Sequence, residues 1–242
     1  MKYLVSLSGG KDSTACLLWA LNTFNKEDII PYYIDTKWEH DAVYEYLDYL
    51  EEKLEISIKR IESEGMVALS KRKKMMPNRV MRFCTENLKV KPAKEFYKTI
   101  DDDFINIIGV RREESPARAN EETFKISDGI KILQPLAYWT TQRVFDYHKE
   151  NGIEVNPLYK KGFKRVGCYP CIYANKHELM LMEDKYVDRL RDLEKDMQEI
   201  VSKAGFDPKN ATFFAPDRDK HLRKTLDLGM ENQCVNQYGI CE

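Results

Sequence analysis

A short glycine-rich segment between a strand pattern and a helix pattern most constrains the fold of this chain. Residues 8–13 read Ser-Gly-Gly-Lys-Asp-Ser, after apolar residues of strand character and before a helical spacing that begins at Ala15. Two glycines let the backbone approach an anion closely, and the N–H groups of a first helical turn attract negative charge. Lys11 adds a positive charge, and Ser8 and Ser13 add hydroxyl donors. The segment predicts a phosphate-binding loop that lacks the Gly-x-x-x-x-Gly-Lys spacing; the structural alternative is a plain turn into a capped helix.

The first part of the chain alternates strand and helix patterns. The predicted strands are 3–7, 29–34, 56–61 and 104–110, and the predicted helices are 14–24, 42–54 and 89–97. This alternation is typical of an α/β fold, a parallel twisted sheet with helices on both faces. Ligands of such sheets bind where strands end. We therefore expect Asp35, Thr36 and Gly109, which follow strand ends, to lie near residues 8–13.

The second part of the chain reads differently. It contains predicted helices at 139–151 and 186–204, separated by a loop at 156–173 that is rich in Lys, Gly, Pro and Cys. A length of 242 residues suits one domain with a smaller appendage. We predict a nucleotide-binding α/β domain at 1–150 and a cysteine-bearing loop with a helical region at 151–242.

The charge of the chain is unevenly distributed. The net charge is −1, which gives the whole molecule no general attraction to nucleic acid or membrane. Residues 71–94 nevertheless hold nine basic side chains and one acidic one, a local charge of +8. Such a run is often only a solvated face, but a local field of one sign also steers anionic substrates. No stretch predicts a membrane helix or a signal peptide, so we expect a cytoplasmic protein with reduced cysteines.

The cysteines indicate a metal or redox site. Of six cysteines, Cys16 lies on the apolar side of the first predicted helix and is expected in the core. Cys168 and Cys171 form a Cys-x-x-Cys pair whose thiolates can bind one metal. The spacing leaves three alternatives open, namely a tetrahedral Zn site, a redox dithiol and an iron–sulfur cluster.

Basic residues flank two of these thiols. Arg82 precedes Cys84, and Lys164 and Arg165 precede Cys168. Positive charge lowers the pKa of a thiol and so favours the thiolate that binds metals or attacks a substrate. The same charges attract a phosphorylated substrate, so one basic pocket is expected to hold both.

Five segments, taken in this order, resemble the phosphoadenosine phosphosulfate reductase family of the PP-loop ATP pyrophosphatase superfamily. They are SGGKDS at 8–13, RFCTENLKVKP at 82–92, GVRREES at 109–115 with Arg118, NPLY at 156–159 and GFKRVGCYPC at 162–171. The resemblance covers roughly residues 1–175. It implies a PP-loop α/β fold, an adenine nucleotide substrate, and sulfur chemistry at an iron–sulfur cluster of the [4Fe–4S] type.

The resemblance also implies roles for individual residues. The residues expected to contact the nucleotide are Ser8, Gly9, Gly10, Lys11, Asp12, Ser13, Asp35, Thr36 and Gly109. Among these, Lys11 and Ser13 are expected to stabilise the leaving pyrophosphate. The residues expected to bind substrate oxyanions are Arg82, Lys89, Arg111, Arg112, Arg118, Lys164 and Arg165. The cluster ligands are Cys84, Cys168, Cys171 and Cys234, with Cys241 as an alternative fourth ligand or as a catalytic nucleophile.

Two departures from the family pattern favour a particular activity. The loop at 8–13 is intact, whereas sulfonucleotide reductases usually carry a degenerate loop. The tail reads Tyr-Gly-Ile-Cys-Glu at 238–242 instead of a Glu-Cys-Gly-Leu-His segment. Both departures favour the ATP-dependent sulfurtransferases, such as the DNA phosphorothioation enzyme and tRNA thiolases. We therefore expect ATP with Mg²⁺, a sulfur donor, and an anionic substrate such as nucleic acid.

Two other functions stay open from the sequence. One is an adenylyl sulfate or phosphoadenylyl sulfate reductase that uses Cys241 and a thioredoxin-like reductant. The other is a nucleotide-binding subunit of a larger complex in which the cysteines form a structural Zn site. The sequence does not decide the oligomeric state.

Overall fold

The computed structural model describes residues 1–208, 211–214 and 220–226. The chain divides into two compact units, the first comprising residues 1–66 and 83–169 and the second residues 67–82 and the chain from Pro170 onward. This division differs from the predicted regions 1–150 and 151–242. The segment after residue 150 joins the first unit because the amide of Asn156 donates to the carbonyl of Gly9 at 3.1 Å and the N–H of Tyr169 donates to the carbonyl of Trp38 at 2.7 Å.

The first unit contains a six-stranded sheet. Its strands are β1 (Lys2–Leu7), β2 (Ile29–Asp35), β3 (Lys59–Glu62), β4 (Phe104–Ile107), β5 (Phe124–Ser127) and β6 (Ile130–Leu133). The order is β3-β2-β1-β4-β6-β5, and every pair is parallel except β5 with β6. The predicted α/β class is confirmed. The β5–β6 hairpin was not predicted; it turns at Asp128 and Gly129, both with positive φ, as an Asp-Gly hairpin turn requires.

Nine helices are assigned in the described part of the chain. They are α1 (Lys11–Thr23), α2 (Asp41–Leu54), α3 (Met66–Lys73), α4 (Phe83–Thr85), α5 (Lys91–Tyr97), α6 (Thr141–Glu150), α7 (Lys176–Met180), α8 (Asp184–Lys203) and α9 (Lys220–Thr225). A π-helical turn over Glu86–Val90 joins α4 to α5. Turns of this kind are frequent at functional sites.

Helices cover both faces of the sheet. Alternate strand residues point to opposite faces, so Val5 and Leu7 join the cluster built by α1, α2 and α6, while Leu4 and Tyr32 pack with Phe96 of α5. The larger cluster lies on the α1 side. It anchors the start of α1 directly behind the glycine-rich loop.

The second unit is helical in its described residues. Its longest helix, α8, buries Leu190, Leu193 and Met197 along one stripe, as the amphipathic pattern at 186–204 predicts. Glu194 on the same helix is also buried, and it accepts hydrogen bonds from Arg223 Nη1 at 2.9 Å and Phe213 N–H at 2.7 Å. No helix among the described residues is long and apolar enough to cross a membrane.

Candidate functional site

The candidate site lies at the carboxyl ends of β1 and β4, two neighbouring strands of the sheet. From β1 the chain continues to β2 and β3 on one side, and β4 begins the other side. Open α/β sheets bind ligands in the crevice at such a reversal of strand order. Residues 8–13 follow β1, and Gly109 follows β4. A Cβ atom at Gly109 would lie 2.8 Å from the carbonyl carbon of Asp12, so only glycine permits this approach.

The glycine-rich loop has a fixed backbone. Gly9 has φ +71°, and a Cβ there would come within 2.8 Å of the Cγ1 atom of Val43. The Ser13 hydroxyl accepts from Ser8 N–H at 3.1 Å and donates to the Gly10 carbonyl at 3.0 Å. Gly10 precedes the first helical residue and offers no side-chain cap to the N–H groups of α1. The loop therefore holds the geometry of an anion cradle by its own hydrogen bonds.

Three charged side chains converge at the start of α1. Lys11 Nζ lies 2.8 Å from Asp12 Oδ2, and Arg111 Nε lies 2.5 Å from Asp12 Oδ1. Arg111 is only 3% exposed, and its Nη1 also donates to Glu113 at 2.7 Å and to the carbonyl of Trp139 at 3.2 Å. Burial alone would lower the pKa of Arg111, but the carboxylates of Asp12, Glu113 and Glu114 together outweigh burial and raise this pKa. Arg111 thus fixes the Asp12 carboxylate.

Two of the other predicted substrate-binding residues have partners of their own. Arg112 donates to the Glu121 carbonyl at 2.7 Å and stacks over the Tyr138 ring at 4.0 Å. Arg118 forms an ion pair with Glu114. The remaining members are Lys89, Lys164 and Arg165, which are exposed in the first unit, and Arg82, which is exposed in the second.

The loop after β2 is tightly organised. The carboxylate of Asp35 accepts from the Lys37 N–H at 2.7 Å and from the Tyr44 hydroxyl at 2.8 Å. Thr36 is fully buried, and its hydroxyl donates to Glu39 at 2.6 Å. Hydrogen bonds therefore hold the side chains of Asp35 and Thr36, the two residues of this loop that are predicted to contact the nucleotide.

The described cysteines are thiols in different environments. Cys16 is fully buried in the core, as predicted, and burial raises the pKa of its thiol well above the usual value. Cys168 Sγ lies 3.8 Å from a carboxylate oxygen of Glu39 and 3.7 Å from the Thr36 hydroxyl. Burial raises the pKa of Glu39. Cys168 therefore lies in a polar, half-buried setting that suits metal ligation better than that of Cys16.

The predicted ligand set is only partly described. Cys84 and Cys171 are half-buried thiols, Cys84 in the first unit and Cys171 in the second. Within the described ranges, no three side chains of His, Cys, Asp or Glu converge as a metal site. Cys234 and Cys241 lie outside the described residues. The thiols have donor chemistry that suits a metal or a cluster, and part of the predicted set lies outside the described residues.

Three residues contact the loop without having been assigned a role from the sequence. The Tyr159 hydroxyl accepts from the Lys11 N–H at 3.0 Å, and His148 Nε2 lies 2.8 Å from the Lys11 carbonyl. Asn156 is fully buried and joins Gly9 to α2 through its amide. Asn before Pro is a recognisable helix-cap signal, but no local pattern links Tyr159 or His148 to a loop more than a hundred residues away.

A doubly wound sheet with this glycine loop at its switch point is a PP-loop nucleotide-binding fold. Residues 2–174 match the phosphoadenosine phosphosulfate reductase domain family, and the chain belongs to this family. The family expected from the sequence is thereby confirmed.

The chain is also similar to individual proteins and to a solved structure. It is 32% identical to an uncharacterized 37.8 kDa protein of Escherichia phage 186, over 98% of this chain and 85% of the relative. It is also 32% identical to an adenosine 5'-phosphosulfate reductase of Salinibacter ruber, over 58% of this chain and 56% of that enzyme. A crystal structure of phosphoadenylyl-sulfate reductase from Candida auris in a phosphate complex shares the fold, with a TM-score of 0.55 and 17% identity over 71% of this chain and 83% of that chain. The chain thus spans only about half the length of the Salinibacter enzyme.

Proposed function

We propose that this protein binds ATP at the glycine-rich loop, transfers AMP to an anionic substrate with release of pyrophosphate, and then exchanges the AMP for sulfur. The observation that carries this proposal is the intact glycine-rich loop at residues 8–13. Its backbone packs closely against Gly109, and Lys11 gives it a positive charge. An anion of the size of pyrophosphate needs N–H donors and a cation in fixed positions. The N–H groups at the start of α1 and the Lys11 side chain support this assignment, and the Tyr159 hydroxyl that is bonded to the Lys11 N–H would give way to a phosphate oxygen.

The proposed first step breaks one bond of ATP. A substrate oxygen attacks the α-phosphorus, the bond to the bridging oxygen breaks, and the electron pair leaves with pyrophosphate. The loop N–H groups, Lys11 and Ser13 stabilise the charge that develops on the leaving group. Asp12, held by Arg111, is the candidate water-mediated partner of the Mg²⁺ that accompanies ATP. In the second step a sulfur nucleophile displaces AMP from the activated substrate.

The cysteines are the proposed cofactor ligands. Cys84, Cys168, Cys171 and Cys234 are the proposed ligands of an iron–sulfur cluster, which would supply thiolate-bound iron for holding sulfide. Iron and acid-labile sulfide in anaerobically purified protein test this assignment. Cys84→Ser and Cys171→Ser are expected to lose iron, whereas Cys16→Ala, in the core, is expected to keep it. Zn without iron or sulfide would replace the proposal with a structural Zn site.

Pyrophosphate release tests the activation step. Anaerobic protein is incubated with ATP, Mg²⁺ and candidate anionic acceptors, and pyrophosphate is quantified. Lys11→Ala is expected to slow release by about 10²- to 10³-fold, the usual cost of losing one charge-stabilising donor. The matched control is Lys53→Ala, which removes an exposed lysine of α2. No release under any condition, or equal rates in both variants, would exclude the proposal.

A second function is favoured by the likeness to adenosine 5'-phosphosulfate reductase over 58% of this chain. In that case the site would bind a sulfonucleotide, and the Cys241 thiolate would attack its sulfur. The S–O bond would break, the electron pair would leave with the nucleotide phosphate, and a thioredoxin-like dithiol would then reduce the S-sulfocysteine and release sulfite. Sulfite release from adenylyl sulfate or phosphoadenylyl sulfate, lost in Cys241→Ser, would establish the reductase. Release of pyrophosphate from ATP without sulfite formation would reject it.

A further inference from the structure

The second unit carries a strongly basic segment that the nucleotide site does not use. Residues 71–82 contain six basic side chains and no acidic one. Lys71 pairs with Asp196 of α8 at 2.6 Å. Lys73 and Lys74 are exposed and form no ion pair with other described residues. The segment therefore keeps a net positive charge toward solvent.

A hydrogen-bonded turn within this segment presents apolar side chains. The Asn78 side-chain oxygen accepts from the N–H groups of Val80 and Met81, both at 2.9 Å, and the Asn78 N–H donates to the Met81 carbonyl at 3.2 Å. Val80 and Met81 are 74% and 45% exposed at its tip. Arg79 and Arg82 flank them in the sequence. Apolar groups are thus held in solvent by a fixed backbone between two cations.

An exposed tyrosine completes this surface. The Arg82 guanidinium lies 5.1 Å from the centroid of the Tyr173 ring, and the Tyr173 hydroxyl donates to the Arg79 carbonyl at 3.5 Å. Arg79 in turn donates to the carbonyls of Ile172 and Ala174 at 3.1 and 3.3 Å. Residues 71–82 and Tyr173 therefore form one connected surface, the basic face.

We infer that the basic face binds single-stranded nucleic acid. Lysines and arginines neutralise the phosphates of the backbone. Tyr173 and the apolar tip offer flat and aliphatic contacts for unstacked bases, which a single strand exposes and a duplex does not. A membrane fits less well, because α3 buries Met66 and Leu69 and exposes one large apolar side chain, Val67, which is too little for insertion into lipid.

The basic face also adjoins a candidate sulfur-carrying residue. The Tyr173 N–H donates to Cys171 Sγ at 3.5 Å. A strand stacked on Tyr173 would pass next to this thiol. The inference deepens the proposed function, on which it rests, by naming the polymer as the anionic substrate, while the binding itself requires neither ATP nor a reaction.

Binding is measured by fluorescence anisotropy without nucleotide. The probes are labelled single-stranded DNA and RNA of about 20 nucleotides, a duplex of the same sequence, and vesicles containing phosphatidylserine. Single strands are expected to bind best, with an affinity that falls steeply between about 50 and 200 mM salt. The double variant Lys73→Glu/Lys74→Glu is expected to weaken binding at least about ten-fold. Its matched control is Lys53→Glu/Lys59→Glu, which makes the same charge change on exposed lysines of the first unit.

A second variant separates stacking from charge. Tyr173→Ala is expected to weaken binding by about 5- to 100-fold, the usual cost of losing one base–aromatic stack, and Tyr173→Phe is expected to retain it. Equal losses in both lysine pairs, preference for vesicles, or no binding at low salt would each overturn the inference. Pyrophosphate release is scored separately on the same variants. Failure of the binding surface is therefore distinguishable from failure of ATP activation.

Discussion

The glycine-rich loop of the first unit and the basic face of the second unit both present positive charge, in opposite ways. At the loop, Lys11 and Arg111 are buried and each lies within 2.8 Å of an Asp12 oxygen. On the basic face, Lys73 and Lys74 are exposed and have no ion-pair partner in the described part of the chain. The charges at the loop are held in place by ion pairs, whereas those on the basic face are solvated.

The difference separates two uses of charge. Buried, paired charges interact strongly and hold atoms in one geometry, which a reacting phosphate requires. Exposed charges are screened by salt and contribute little to stability, but they attract a polyanion of variable shape. Substitutions at the loop should therefore change stability and chemistry with little salt dependence. Substitutions on the basic face should change binding with strong salt dependence.

The largest expected effect is the removal of Arg111. Arg111→Ala removes a buried partner of Asp12, which keeps Lys11, and of the half-exposed Glu113, so we expect a loss of at most about 3–5 kcal/mol of unfolding free energy. Chemical denaturation at low and high salt measures this cost. Arg118→Ala, which breaks an exposed pair, is the control, with an expected loss of about 0–1 kcal/mol. Similar losses in the two variants would remove the distinction between fixed and solvated charges.

The next effect tests the close contact between the loop and β4. In Gly109→Ala the new Cβ would meet backbone atoms of Asp12 and Ser13 at 2.8–3.0 Å, and backbone cannot yield as a side-chain end can. We expect a stability loss of about 1–3 kcal/mol from overpacking, and pyrophosphate release slowed about 100-fold, because a small misplacement of reacting groups is costly.

Gly152→Ala is the matched control for this substitution. Gly152 has φ +67° and open space around its missing Cβ, so alanine there costs about 1–2 kcal/mol of backbone strain without touching the loop. Its pyrophosphate release should stay normal. If both glycine variants lose release in parallel, the effect belongs to stability and not to the contact with Asp12.

Local patterns predicted the elements that build the sheet. The fold class followed from the alternation of strand and helix patterns. The position of the loop followed from the Ser-Gly-Gly-Lys-Asp-Ser segment. Both signals are local in the sequence. The hairpin of β5 and β6 was not predicted, because its strands are only four residues long and lack a clear buried face. Short strands of this kind depend on neighbouring strands for their definition.

Long-range partners could not be predicted in the same way. Arg111 was expected to grip substrate oxygens, and the structure shows its guanidinium on Asp12 and Glu113. Tyr159 and His148 reach Lys11 across more than a hundred residues. A side chain's partner depends on which loops the sheet order brings together, and one sequence does not encode that order in any local signal.

A smaller effect concerns the pH dependence of stability. His148 is buried against the Lys11 carbonyl, and burial lowers its pKa. Below the ordinary histidine pKa of about 6.5 the unfolded chain binds a proton that the folded chain resists, so stability falls as pH falls through this value, by at most about 1.4 kcal/mol per pH unit. Denaturation curves at several pH values should show a shallower acid loss in His148→Gln. An unchanged slope would assign the acid sensitivity to other groups.

The smallest expected effect tests whether the Tyr159 hydroxyl blocks an N–H donor of the glycine-rich loop or helps the loop to bind a ligand. The Tyr159 hydroxyl occupies the Lys11 N–H, one of the donors that a phosphate oxygen would use. Tyr159→Phe frees this N–H, and we expect ATP to bind about 2- to 10-fold more tightly, the equivalent of one net hydrogen bond. Tyr46→Phe is the matched control, since the Tyr46 hydroxyl donates to the Glu154 carbonyl at 2.7 Å and bonds to no backbone N–H of residues 8–13. Weaker ATP binding in Tyr159→Phe would instead make this hydroxyl a ligand contact, and the fixed charges of the loop would then act together with a donor from residues 156–159.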